Sequence, residues 1–140
     1  MDSSTPWPAI QQPRNQVVDL LNAFADLLSH QYPDLEGRVI IAQREDDPRY
    51  IISFYILNRK LGGYNTRLLS IDQPIDSPFP VVLTMHYKTY SSPPQTLTEA
   101  NFEANLRKEL GSSPVQNILT HLLALGDTMQ ASHSESEQSA

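Results

Sequence analysis

The chain has 140 residues, room for one hydrophobic core and one domain, and it contains no cysteine, which excludes a disulfide framework, a thiolate zinc site, an iron–sulfur cluster and a thiol nucleophile. Ten Lys and Arg against sixteen Asp and Glu give a formal net charge of −6. The negative field and the lack of any basic cluster argue against nucleic acid and against an anionic membrane surface, because both draw affinity from cations that neutralise phosphates.

Residues 1–13 hold Pro6, Pro8 and Pro13 and read as an extended proline-rich arm, since proline donates no backbone hydrogen bond. Trp7 is the arm's one large anchor, suited to cover an edge of the domain or to touch a partner. The start has neither a basic n-region nor an apolar run, and no uncharged apolar stretch approaches about 18 residues, so a cytoplasmic, soluble protein is expected. From Asn15 to Gln31, Val17, Leu20, Leu21, Phe24, Leu27 and Leu28 recur at three- and four-residue steps and predict a helix, ended by Tyr32-Pro33.

Arg38 to Arg44 and Arg49 to Leu57 are β-branched runs joined by Glu45-Asp46-Asp47-Pro48, and they predict a hairpin. The second run is apolar on both faces, as in a central strand with one face on helices and the other covered by the arm, a loop or a second copy of the chain. Beyond a turn at Gly62-Gly63, Tyr64 to Ile71 predicts a third strand. After the stiff Gln73–Pro80 loop, Val81 to Tyr90 predicts a fourth, and Gln95 to Leu97 a short fifth.

Thr96 with Glu99, and Ser113 with Gln116, have the spacing of capping boxes and mark two helix starts. Phe102, Leu106 and Leu110 stripe the first helix, stopped by Gly111; Val115, Ile118, Leu119, Leu122 and Leu123 stripe the second, stopped by Gly126. Residues 127–140 are polar apart from Met129 and read as a disordered tail. The expectation is an α+β domain over 14–126: an N-terminal helix, a four- to five-stranded antiparallel meander joined by short turns, and two C-terminal helices packed on one face of the sheet.

No catalytic frame emerges. Gly62-Gly63 lacks a phosphate-cradling pattern and no GxSxG elbow is present. His30, His86, His121 and His133 include no pair at i, i+4, so neither a metal nor another cofactor is expected. His30 and His121 lie near helix C-termini, where the dipole favours an imidazole. His86 alternates with Thr84 and Lys88 and could line a groove; a pocket around it, between sheet and helices, is the alternative reading, a small enzyme or ligand-binding domain.

The leading expectation is a non-enzymatic protein-binding module whose partner is another protein with a basic surface. Glu45, Asp46 and Asp47 form an acidic turn fit for such a partner. Tyr55, Tyr64, Tyr87 and Tyr90 fall on predicted strands near Arg67, and Tyr and Arg are the residues that interfaces favour.

The stretch TEANFEANLRKELGSSPVQNILTHLLAL, residues 98–125, resembles the closing two-helix segment of small uncharacterised bacterial α+β proteins. That resemblance implies a bacterial setting and no particular activity. In acidity, size and build the chain is also similar to effector-binding secretion chaperones and to toxin-neutralising immunity proteins. It departs from the chaperones, whose sheet is interrupted by a helix, because these strands run uninterrupted.

Overall fold

The structure is a computed structural model, and it describes residues 14–43, 48–62, 65–87 and 91–138. The elements are, in chain order, α1 (Gln16–Gln31), β1 (Leu35–Gln43), β2 (Arg49–Asn58), a 3-10 turn (Arg59–Leu61), β3 (Asn65–Pro74), β4 (Val81–Met85), β5 (Gln95–Leu97), α2 (Glu99–Leu110) and α3 (Ser113–Gln138). The five strands form one open antiparallel sheet in the order β1-β2-β3-β4-β5, with the helices on one face. Residues 1–13, and with them Trp7 and the proline-rich arm, lie outside the described residues. No described helix is long and apolar enough to cross a membrane.

Helix α1 starts where Asn15 can cap it: the Asn15 Oδ1 accepts from Val17 N at 3.0 Å and Val18 N at 3.2 Å. The same side chain donates through Nδ2 to the buried Gln73 on β3 at 2.8 Å, and Gln73 in turn donates to the Pro78 carbonyl at 3.1 Å. One cap therefore ties the helix start to the sheet and to the proline loop. Val17, Leu21 and Ala25 are buried, whereas Leu27 is 58% exposed and sits off the packed stripe. Ala25 sits directly over Gly37 of the sheet. A Cβ added at Gly37 of β1 would lie 2.9 Å from the Ala25 Cβ and 3.1 Å from its Cα, so only glycine lets α1 sit this close.

The core runs along the helix side of the sheet, through Ile52, Phe54 and Ile56 of β2, Leu69 and Ile71 of β3, and Val81, Leu83 and Met85 of β4. Helix α2 adds Phe102, whose ring meets Phe79 edge-on at 5.7 Å, and Leu106. A bulge breaks the alternation. Phe54 pairs with Leu69 but Tyr55 pairs with Arg67, which leaves Leu68 as the extra residue, and both leucines are fully buried. The bulge turns Arg67 to the sheet face opposite the core, beside Tyr55; an unbroken register would have set it against Ile56.

Several boundaries differ from expectation. Strand β4 ends at Met85, and His86 makes only an isolated bridge to Ser91, because the chain is already turning back toward β5. Thr96 lies within β5, and α2 is capped by Thr98, whose N–H donates to the Asn101 Oδ1 at 2.7 Å. Helix α3 does not stop at Gly126. It continues to Gln138, so the expected tail is helical that far.

The reason is visible at Asn58, fully buried at the end of β2. Its Nδ2 donates to the Leu122 carbonyl at 2.9 Å and its Oδ1 accepts from Lys60 N at 2.9 Å. A Cβ at Gly126 would lie 2.2 Å from that Nδ2. Gly126 is a gap for the asparagine, not a stop. Lys60 adds a second tie, reaching Asp34 at 3.1 Å and Asp127 at 3.2 Å. The hydrogen bonds it donates to Asp34 and then to Asp127 raise the Lys60 ammonium above its ordinary pKa.

The Gly37 contact is directly testable. Gly37→Ala should destabilise by about 1–3 kcal/mol in a urea titration, because α1 must move to admit the methyl group. A neutral or stabilising result, as for an ordinary strand glycine, would show that α1 does not depend on this approach.

Candidate functional site

Three strand ends share one end of the sheet: β2 finishes at Asn58, β3 begins at Asn65 and β4 finishes at Met85. Helix α3, pinned there by Asn58, passes in front of them. Between the ends of β3 and β4 and the helix lies a cleft of about 560 Å³. Thr66, Arg67, His86 and Tyr87 form its sheet wall. On the helix, Asn117 and His121 make a polar ridge one turn apart, and Ile118, Leu122 and Leu125 an apolar one beside it.

His86 is held on both sides. Its Nε2 lies 2.8 Å from the Ser70 hydroxyl and its Nδ1 3.2 Å from the Ser91 hydroxyl. Burial, and then the positive charge of Arg67, hold the imidazole below its ordinary pKa, which favours the neutral ring. A serine nucleophile needs a base that an acid orients. Here the second ring nitrogen meets another hydroxyl instead of a carboxylate, so the arrangement fixes the ring without building a relay.

Arg67 stands apart from the other described arginines. Arg14, Arg38, Arg49, Arg59 and Arg107 each lie against a carboxylate. Among the described residues Arg67 has no such partner, and Asn117 and His121 make no hydrogen bond to the protein. Three polar groups thus face the cleft without an internal partner among those residues. Among the described residues no three His, Asp or Glu side chains gather as a metal ion would require. A smaller hollow of about 250 Å³ lies between α1 and α3, walled by Phe24, Leu28 and Leu119 and without a charged residue in its lining.

Of the residues singled out from sequence, Glu45, Asp46, Asp47, Tyr64 and Tyr90 lie outside the described residues. Tyr55 and Arg67 are cross-strand partners on the sheet face away from the core. Tyr87 lies beyond the end of β4, packs against the core and donates its hydroxyl to Glu109 of α2 at 3.3 Å. The sequence reading missed Asn117 altogether and took His121 only as a residue near a helix end. Their i, i+4 spacing, one position before the apolar Ile118–Leu122 pair, is the signal that could have marked them.

Comparison with protein-family models, curated proteins and solved structures found no match.

The lowered pKa of His86 has a sign. Below an imidazole's ordinary value of about 6.5 the unfolded chain takes up a proton that folded His86 resists, so stability falls as pH drops through that window. The fall should be smaller in His86→Gln, measured as urea midpoints at pH 7.5 and about 5.5. The His86 ring protons should titrate with a midpoint below about 6.5 by NMR; a midpoint at or above it would contradict the burial of this ring.

Proposed function

We propose that this is a non-enzymatic protein-binding module that receives an extended segment of its partner along β1. The observation that supports the reading is the contrast between the two edges of the sheet. The β5 edge is only three residues long and comes directly after Pro93-Pro94, both features that blunt strand addition. The β1 edge is nine residues long and pairs, among the described residues, with β2 alone. Its last five residues, Val39-Ile40-Ile41-Ala42-Gln43, contain no charge and no proline, and Ile40 and Ile41 are 51% and 53% exposed. A strand of that kind offers a row of backbone donors and acceptors to an incoming chain.

Charge selects the occupant. In sequence, the exposed end of β1 is succeeded, past Arg44, by Glu45-Asp46-Asp47, and the whole chain carries a net charge of −6, so a basic extended segment is drawn to this edge and an acidic one repelled. Tyr55 of the neighbouring strand and Arg38 of β1 pair in register on the sheet face beside it and supply flanking side-chain contacts. This is the working surface of an immunity protein, chaperone or adaptor acting in a bacterial cytoplasm.

The test starts from a partner captured from a bacterial lysate and identified by mass spectrometry. Binding should protect the backbone amides of residues 39–43 in hydrogen exchange. Ile40→Lys combined with Ile41→Lys should weaken binding by about tenfold or more, because charge on an edge strand opposes pairing. The melting temperature should barely move, since both side chains are half-exposed. Protection confined to another face, or undiminished binding by the double variant, would overturn the proposal. A β1-mediated dimer in sedimentation, with no other partner, would assign the edge to self-association instead.

A further inference from the structure

The cleft between the β3–β4 ends and α3 calls for a ligand of its own, separate from the β1 edge. We infer that it binds a small organic carboxylate with an apolar body, the anion held by Arg67 and the body laid along Ile118, Leu122 and Leu125.

Charge gives the first indication. In a chain of net charge −6, most cations are neutralised locally: every other described arginine touches a carboxylate, and Lys60 touches two. Arg67 is exposed at the mouth of the cleft with no described carboxylate against it. The β3 bulge puts it on the sheet face where Ser70 and His86 also sit. Arg67 lies close enough to His86 to oppose protonation of its imidazole. The wall therefore presents one exposed cation, Arg67, beside a ring held neutral, and among the described residues no carboxylate answers it.

The helix side completes the chemistry. Asn117 and His121 bring further donors, unclaimed by the described protein groups, to the same opening. A guanidinium takes a carboxylate in its planar fork, with two parallel hydrogen bonds, better than it takes a point-like anion. Beside this polar rim the Ile118–Leu122–Leu125 ridge is continuous, and Leu125 remains 36% exposed, so it has surface left to cover. A cleft of about 560 Å³ is sized for a small molecule. A neutral ligand would leave Arg67 without an anion, and a highly charged one would waste the leucine ridge.

Benzoate is the probe, with benzamide as its neutral counterpart, both followed by NMR at fixed ionic strength on the full chain. Benzoate, of about nine heavy atoms, should shift the resonances of Asn117, His121 and His86 saturably, with a Kd on the order of millimolar. Benzamide should bind about tenfold more weakly or worse, because the charge-assisted pair is lost. Arg67→Gln should weaken benzoate by a similar factor with an unchanged melting temperature, and Arg67→Lys should fall between, keeping the charge but losing the fork. No saturable shift in the cleft, equal binding of benzoate and benzamide, or full affinity in Arg67→Gln would each overturn the proposal.

Discussion

The buried amide of Asn58 is the contact on which the arrangement of this protein turns. It sits at the end of the interior strand β2, satisfies the 3-10 turn through Lys60 N and grips α3 through the Leu122 carbonyl. A buried side-chain amide is costly to leave unpaired, so helix and strand end are held in one relative position. Gly126 makes this possible, because α3 presents bare backbone where any side chain would strike the amide. The Lys60 ion pairs to Asp34 and Asp127 add a second, solvent-exposed tie at the same corner. The consequence for the cleft is positional: with α3 pinned across the ends of the strands, Asn117, His121 and Leu125 necessarily face Arg67 and His86.

The sheet distributes the rest. Its core face is continuous, its β5 edge is short, and its β1 edge is long and, among the described residues, paired with β2 alone. The bulge at Leu68 and Leu69 keeps two leucines inside and sends Arg67 outside, one irregularity serving core and cleft together. The two surfaces proposed to bind have opposite chemistry. The β1 edge adjoins Glu45-Asp46-Asp47 in sequence and is proposed for a basic chain, while the cleft carries Arg67, without a carboxylate partner among the described residues, and is proposed for an anion. An acidic protein can hold both because electrostatics is local at the range of a Debye length of about 8–10 Å.

Much of the fold was legible from residue patterns. The three- and four-residue recurrence of Val17, Leu21 and their neighbours gave α1, alternation gave β4 from Val81, and Gln95–Leu97 is the fifth strand as read. The misreadings share a cause: a local signal was overruled by a distant contact. Gly126 has the look of a helix stop, but what it answers to is Asn58, far back in the chain. Leu27 fits the helical period yet lies off the face that Gly37 admits. The bulge leaves no mark in Arg67-Leu68-Leu69, since both leucines suit either face. The cleft was half legible, with His86 and Arg67 noticed on neighbouring strands and Asn117 and His121 passed over. Nothing in the spacing of β3, β4 and α3 says that they meet; only the Asn58 contact does.

Whether Asn58 and Gly126 form one unit is measured most directly by a double-mutant cycle. Asn58→Ala, Gly126→Ala and the double variant should be compared by urea denaturation. Asn58→Ala alone should cost about 1–3 kcal/mol through the lost bond to the Leu122 carbonyl and the Lys60 N–H left without its acceptor. Gly126→Ala alone should cost a similar amount, although an ordinary helix-interior glycine gains up to about 1 kcal/mol on becoming alanine. Once the amide is gone the new methyl group has room, so the double variant should be more stable than the sum of the single losses predicts by at least about 1 kcal/mol. Strict additivity, or a stabilising Gly126→Ala in the parent, would show that α3 is held in place by something other than this contact.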